Sequence, residues 1–254
     1  MKRIEISNIE QFKTFFDVIY DTASETIELK FLIDRMTCAV LDRSHSRFMY
    51  VEYKSFFFDK YDVDEVGSVS VSVVDMFNLL KLTNKTDTLI LDFGEDIFSA
   101  EVISKTGNKR SFEFVLPYEF VNSPSLPDIA LPVVFEVETS ELKQSVKDIS
   151  LIGTDIFQFV VAQDSLTCMS DTMADTSSYS STKYANAIEC DVDAKEQLIV
   201  RFNIDYIAQM LKFEKIQKIV SIQLGEQALV YKFDDDIMGV TVHGLIAPRT
   251  VEEA

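Results

Sequence analysis

The sequence predicts an α+β protein built from two copies of one unit, and three observations carry that prediction. Helical and strand-like periods alternate along all 254 residues. Four helical segments begin at Ile9, Val73, Thr139 and Ile204, so the starts within each half lie 64 and 65 residues apart, and corresponding starts in the two halves differ by 130 and 131. Four of the five prolines, Pro117, Pro124, Pro127 and Pro132, fall in one stretch near the midpoint, PYEFVNSPSLPDIALP. Proline fixes φ and lacks a backbone donor, so this stretch continues neither a helix nor a central strand and reads as an extended connector. The expected organisation is an N-terminal domain over residues 1–116, a connecting loop over 117–132 and a C-terminal domain over 133–254.

In chain order, Ile9, Phe12, Phe16 and Ile19 follow helical spacing to Asp21, with Asn8 as an expected N-cap. Strand-like runs follow at Thr26–Phe31, Cys38–Leu41, Phe48–Tyr53 and Ser68–Val73, then a helix from Val73 to Lys85 carrying Met76, Phe77 and Leu80 on one side. Leu89–Phe93, Ile97–Ile103 and Lys109–Leu116 read as strands. Past the joint the order recurs: a strand at Val133–Val137, a helix from Thr139 to Ser150 with Leu142, Val146 and Ile149 inward, and strands at Phe157–Val161, Ser165–Met169, Ser177–Tyr184, Ala187–Asp191 and Leu198–Phe202. The stretch Ile204 to Lys218 contains the fourth helix, and strands at Ile219–Leu224, Leu229–Phe233 and Gly239–Ile246 complete the pattern. Each unit reads as a β-rich layer with two helices on one face.

Composition narrows the function. Hydrophobic residues make up 47%, enough for a sizeable core. No apolar run approaches the roughly 20 residues of a membrane span, and the start MKRIEISNIE has no apolar core of a secretory signal. Cys38, Cys168 and Cys190 are odd in number and lack CxxC spacing, which points to reduced, buried thiols in an intracellular protein. The net charge of −18, taken alone, argues against a partner rich in phosphate. Its distribution matters more. The four helical segments carry Lys13, Lys81, Lys85, Lys143, Lys147, Lys212, Lys215 and Lys218 against an equal number of acids, so the excess acid lies elsewhere. Lys143 and Lys147 stand four apart, turned away from Leu142, Val146 and Ile149, and Lys81 and Lys85 repeat the spacing. Such lysines either solvate amphipathic helices or present a basic face to a polyanion.

Chemistry finds no foothold. The two histidines, His45 and His243, lie in strand contexts without a nucleophile motif. There is no P-loop and no GxGxxG. Asp234–Asp236 reads as a hairpin turn rather than a divalent-ion site. The expectation is a protein that is not an enzyme, with no cofactor and no metal.

Four segments now carry a resemblance: LDRSHSRFMYVEY (Leu41–Tyr53), DTLILDF (Asp87–Phe93), SVKDISLIG (Ser145–Gly153) and LIAPR (Leu245–Arg249) followed by Glu252 and Glu253. In this order and spacing the chain resembles, over essentially its whole length, the sliding clamps of the proliferating cell nuclear antigen type of archaea and eukaryotes. The resemblance implies the DNA clamp fold: two similar domains per chain, β-sheets outside and helices on the inner face, assembling into a homotrimeric or heterotrimeric ring. It implies a DNA polymerase processivity factor that encircles duplex DNA without reading sequence. The partners implied are a clamp loader ATPase, and DNA polymerase, ligase and nucleases that dock through short peptide motifs. No membrane partner is implied, and the location would be cytoplasmic in an archaeon or nuclear in a eukaryote. The alternative is a clamp-like protein-binding scaffold that does not load on DNA.

Residue roles follow by match to the family. The DNA-facing set is Lys13, Lys81, Lys143, Lys147 and Lys212, with Lys85, Lys109, Arg110 and Lys215 beside them. Thr14, Asp17 and Tyr20 leave Lys13 as the one base of the first helix. The docking pocket comprises Leu41, His45, Ser46, Phe48, Leu126, Pro127, Ile129, Gln227, Ala228, Leu245, Ile246, Ala247 and Pro248. Gly244 and Leu245 stand where the family often has aromatic residues. The subunit contact pairs the strand of Lys109, Arg110, Ser111, Phe112, Glu113 and Phe114 with that of Ser177, Ser178, Tyr179, Ser180, Ser181, Thr182, Lys183 and Tyr184, Lys109 and Arg110 reaching carboxylates across the joint.

Overall fold

The computed structural model describes residues 2–20, 25–118, 124–125, 129, 131–162, 165–170, 181–184, 188–190 and 197–249. The chain divides into two compact units, Met1–Leu126 with Asp234–Val242, and Pro127–Phe233 with His243–Ala254.

The first unit runs β1 (Lys2–Ile6), α1 (Ile9–Ile19), β2 (Thr26–Phe31), β3 (Arg35–Leu41), β4 (Arg47–Lys54), a 3-10 turn at Ser55–Phe57, β5 (Lys60–Val63), β6 (Gly67–Ser72), α2 (Val73–Lys81), β7 (Thr88–Phe93), β8 (Ile97–Ile103) and β9 (Lys109–Val115). Its strands order as β5-β1-β7-β8-β9 and β4-β3-β2-β6. The pairings are antiparallel, with Ile4 of β1 opposite both Tyr61 and Leu91. The second unit runs β10 (Val133–Glu138), α3 (Thr139–Leu151), β11 (Ile156–Ala162), β12 (Ser165–Ser170), β13 (Ser181–Tyr184), β14 (Ile188–Cys190), β15 (Leu198–Asn203), α4 (Ile204–Met210), a 3-10 segment at Leu211–Lys215, β16 (Ile219–Gly225), β17 (Ala228–Asp235) and β18 (Val240–Ile246). Its sheets order as β13-β12-β11-β15 and β14-β10-β16-β17-β18.

All four helices begin where the spacing predicts them. Side-chain caps mark the second helix of each unit: Ser72 Oγ accepts from Asp75 N at 3.2 Å, and Asn203 Oδ1 from Asp205 N at 2.8 Å. At α1 the expectation fails in detail, because Asn8 occupies the cap position without a side-chain bond. Helix ends also differ. The predicted continuation of α2 to Lys85 is wrong: Thr83 Oγ1 donates to the Leu80 carbonyl, and the Asp87 carboxylate accepts from Asn84 N at 3.0 Å, folding residues 84–87 into a turn. Lys85 therefore lies in a loop, outside the helix. The fourth helix stops at Met210 and tightens to 3-10 geometry, placing Lys212 and Lys215 there and Lys218 beyond it. Two strands escaped the sequence reading. β1 alternates Arg3 and Glu5 with the buried Ile4 and Ile6, and β5 at KYDV is a partly exposed edge.

The core is aromatic. In the first unit Phe12 packs on Phe16 and Tyr53, and Tyr53 on Phe57, at centroid distances of 4.7–5.4 Å. In the second, Phe159 meets Phe157 and Phe202, while Phe213 lies against Tyr231 and Phe233. Full burial of each such side chain contributes roughly 1.5–3 kcal/mol. Cys38 and Cys168 are buried in this core, and burial pushes the Cys38 thiol up, away from reactivity.

Gly244 on β18 sits directly against Tyr231, where an added Cβ would lie 2.0 Å from the ring. Replacement Gly244→Ala is expected to destabilise the chain by about 1–3 kcal/mol, the usual range for overpacking. Urea unfolding measures this, and a loss under about 0.5 kcal/mol would show that Tyr231 yields without cost.

Candidate nucleic-acid interface and docking surfaces

The helix lysines come from amphipathic segments whose apolar sides are used by the core. On α3, Leu142, Ser145, Val146 and Ile149 are buried and Lys147 is exposed. Lys143 is half-buried and ion-paired with Glu214 of the 3-10 segment that follows α4. Glu214 thus occupies one of the predicted phosphate ligands. On α2, Lys81 lies over the Phe77 ring with Nζ 4.0 Å from the centroid, and Tyr20, just past α1, stacks on the same ring at 3.6 Å. Tyr20 and Lys81, both exposed, cover the buried Phe77 ring in one stack that joins α2 to the end of α1. Lys13 is half-buried on α1, whose Thr14 is turned inward and bonded to the Glu10 carbonyl. Lys212 and Lys215 are exposed.

The expected neutrality of the helices does not hold within their observed limits. The α-helices carry Lys13, Lys81, Lys143 and Lys147 against Glu10, Asp17, Asp75, Glu141, Asp148 and Asp205. Their surface is mildly acidic overall, with lysines concentrated on particular turns.

The two strands predicted to meet across subunits are each the last strand of a sheet. β9 ends the order β5-β1-β7-β8-β9, and β13 ends β13-β12-β11-β15. β9 leaves Lys109, Arg110, Ser111 and Glu113 exposed, with Phe112 half-buried and Phe114 stacked on Phe98 at 4.7 Å. Its basic residues are engaged within their own unit. Lys109 lies 3.3 Å from Glu101, and Arg110 donates to the Leu82 carbonyl at 2.8 Å while lying 3.5 Å from Asp87. Arg110 therefore ties off the C-terminal end of α2, as a cation at that end of the helix dipole. Of the β13 partner, Ser181, Thr182, Lys183 and Tyr184 pair with Leu166–Met169, whereas Ser177, Ser178, Tyr179 and Ser180 lie outside the described residues.

The predicted docking residues fall in both units. In the first, Leu41 and Phe48 are register partners on β3 and β4, and His45 and Ser46 sit in the turn between them. His45 was expected in a strand; it is a turn residue with φ of 58°, in the left-handed region. Asp42 organises this turn. Its buried carboxylate accepts from Ser44 Oγ at 2.6 Å, Ser46 N at 2.7 Å and Arg47 N at 2.9 Å, and faces the buried Arg47 guanidinium at 3.9 Å. Neither Asp42 nor Arg47 was among the predicted residues, although an aspartate heading a Ser-rich turn is a recognisable signal.

In the second unit Gln227 is exposed in the turn before β17, Ala228 is buried, and Leu245, Ile246, Ala247 and Pro248 continue from β18 with Ile246 alone buried. Ile129 is half-buried; Leu126 and Pro127 lie outside the described residues. The C-terminal segment is held by Arg249, whose amide donates to the Arg201 carbonyl at 2.7 Å and whose guanidinium donates to the Asp155 carboxylate. That hydrogen bond holds the Asp155 carboxyl below its usual range. Among the described residues no group of His, Cys, Asp and Glu is arranged to hold a metal ion, and no helix is long and apolar enough to cross a membrane.

No family model matches the chain. Two curated relatives, each named a DNA polymerase sliding clamp, align over nearly the full length. The protein of Methanobrevibacter smithii is 26% identical over 226 residues, 89% of this chain and 88% of its own. That of Methanothermobacter thermautotrophicus is 26% identical over 230 residues with the same coverage. Among solved structures, PCNA from Thermococcus kodakaraensis superposes with a TM-score of 0.84 at 18% identity, covering 98% of this chain and all of the other. PCNA from Entamoeba histolytica gives 0.81 at 15% identity, covering 98% and 99%. The chain is thus similar over nearly its full length to archaeal proteins named DNA polymerase sliding clamps, and its duplicated α+β unit has the fold of the solved PCNA structures.

Proposed function

We propose that this chain is the subunit of a three-membered ring that encircles duplex DNA and holds a DNA polymerase to it as a processivity factor. The observation that carries the reading is the division of the charge. A chain of net charge −18 keeps Lys81, Lys147 and Lys212 exposed on or just after its helices, local cations that attract a polyanion on an otherwise acidic surface. Contacts of this kind engage phosphates without reading bases, which suits a protein that must move along the duplex. β9 and β13, each the last strand of its sheet among the described residues, support closure through strand pairing between copies. The turn of Leu41–Phe48 and the segment Leu245–Pro248 would receive the short peptide motifs of polymerase, ligase and nucleases, and a loader ATPase would open the ring. In this role the protein is a tether that performs no chemistry of its own.

A second reading, a clamp-like scaffold that binds proteins without loading on DNA, is favoured by the acidic excess on the α-helices and by the capture of Lys143 by Glu214. Polymerase extension on primed circular DNA with a cognate loader separates the two. The wild-type chain is expected to lengthen products, and Lys143→Glu with Lys147→Glu to abolish that gain while leaving the assembly size unchanged. Unchanged product length with the wild-type chain supports the scaffold.

Glu214 gives a finer test. Glu214→Gln releases Lys143 and is expected to tighten DNA binding, steepening the plot of log K against log salt by up to about one unit, the increment for one added phosphate contact. A slope equal to that of the wild type would mean that Lys143 does not meet phosphate.

The Arg249–Asp155 pair is expected to position the docking segment rather than to hold the fold. Because the folded carboxyl is depressed, its contribution is fully present above about pH 4, the unfolded value, and is lost as pH falls through the depressed one. Both partners are largely exposed, so the contribution stays below about 1 kcal/mol. Arg249→Ala should therefore leave urea stability at pH 7 within that margin yet weaken a polymerase-derived docking peptide several-fold by fluorescence anisotropy. Unaltered peptide affinity would remove the segment from the docking surface.

A further inference from the structure

Four of the exposed large apolar side chains of the first unit come from four separate loops and converge at one end of it. Ile33 is in the turn between β2 and β3, Phe56 in the 3-10 turn after β4, Val66 in the link between β5 and β6, and Ile237 in the hairpin between β17 and β18. They are 65%, 60%, 61% and 90% exposed. Backbone contacts tie the loops together. Ser55 N donates to the Asp34 carbonyl at 2.7 Å, and Lys54 N to the Gly239 carbonyl at 2.8 Å. Gly239, with φ of 72°, lies against the Phe56 ring, where an added Cβ would approach to 2.5 Å. Phe31 pairs with Gly67, which brings the Val66 link beside the turn of Ile33, and Tyr61 Oη donates to the carbonyls of Leu32 and Arg35 within that turn.

The hairpin is built rather than loose. Asp235 Oδ1 accepts from Ile237 N at 3.1 Å and Met238 N at 3.0 Å, and Gly239 N returns to the Asp235 carbonyl at 2.7 Å. These bonds hold Ile237 outward at the tip. Apolar anchors presented on a fixed backbone lose little entropy on binding. Neither the tethering reading nor the docking segment uses any of these residues.

The rim identifies the occupant. Asp34, Asp64, Glu65 and Asp236 are exposed around the patch. Of the cations beside the patch, Arg35 is engaged with Asp34 and Glu52 and Lys54 with Asp236, while the Lys2 side chain lies against Gly67, so the carboxylates outnumber the bases. An acidic rim around an apolar centre repels nucleic acid, and two copies of the patch would oppose acid to acid. We propose that this surface docks a partner protein through an amphipathic segment whose aliphatic or aromatic anchors are flanked by lysine or arginine.

The test uses the full chain, isotope-labelled at isoleucine and valine methyl groups, and a synthetic amphipathic peptide of about 14 residues with leucines at helical spacing flanked by arginines. The expected result is shifts at Ile33, Val66 and Ile237 and none at Ile199, Ile219 or Ile246. Phe56→Ser and Ile237→Ser should each weaken binding about tenfold or more, as loss of a central anchor does. Asp34→Asn with Asp236→Asn should weaken it roughly threefold and flatten its salt dependence. All these side chains are exposed, and retained circular dichroism checks that the variants fold. The proposal is overturned if a peptide with serine in place of leucine binds equally, since charge alone would then suffice. It is equally overturned if the shifts fall at Ile246 instead, if the serine variants bind like the wild type, or if Ile237→Ser abolishes a self-association of the free protein.

Discussion

Each helix of this chain has one side to bury and too few residues to stand alone. With 13 residues or fewer per helix, none would persist in water without a sheet beneath it. Phenylalanine supplies much of the contact in the first unit, with Phe12, Phe15 and Phe16 on α1 and Phe77 on α2, whereas α3 and α4 bury aliphatic residues and Met210, joined by Phe213 of the 3-10 segment. This requirement explains why helices recur at a nearly constant interval, because each must follow strands able to receive it. The remaining side carries the charged residues, with lysines such as Lys81 and Lys147 set among a larger number of acids.

Attraction here is moderated in two ways. Lys81 rests over an aromatic ring, and Lys143 is shared with Glu214. A cation held by a ring or a carboxylate binds phosphate less tightly than a bare one, since part of its field is already answered. In the proposed role, weak and interchangeable contacts would be an advantage, because strong ones would pin the ring in place.

Much of the fold was legible because burial writes periodicity into sequence. The helix starts, and the strands from Thr26 to Phe31 and from Ile97 to Ile103, were readable to the residue. What was not legible depends on bonds between side chains and backbone. The end of α2 is decided by Thr83, Asn84 and Asp87, which removed Lys85 from the helical set. β1 hides because Arg3 and Glu5 interrupt a strand whose buried residues are only Ile4 and Ile6. At the candidate site the outward lysines of α3 were visible from spacing, whereas Glu214, 71 positions beyond Lys143, had no local signal. The Asp42 carboxylate that shapes the turn of His45 differs from Glu214: an aspartate ahead of Ser44 and Ser46 is a local turn signal, but its three acceptor bonds appear only once the turn is folded.

The open edges of β9 and β13 bear on how this protein behaves when it is scarce. A free strand edge is a template for any extended chain, and the polar, charged character of Lys109, Arg110, Ser111 and Glu113 discourages indiscriminate annealing. Where copies pair edge to edge, folding and assembly become linked by mass action, so that thermal stability rises with concentration. Dilution then acts as a denaturant, and the abundance of the chain in its cell becomes one of the quantities that keeps it folded.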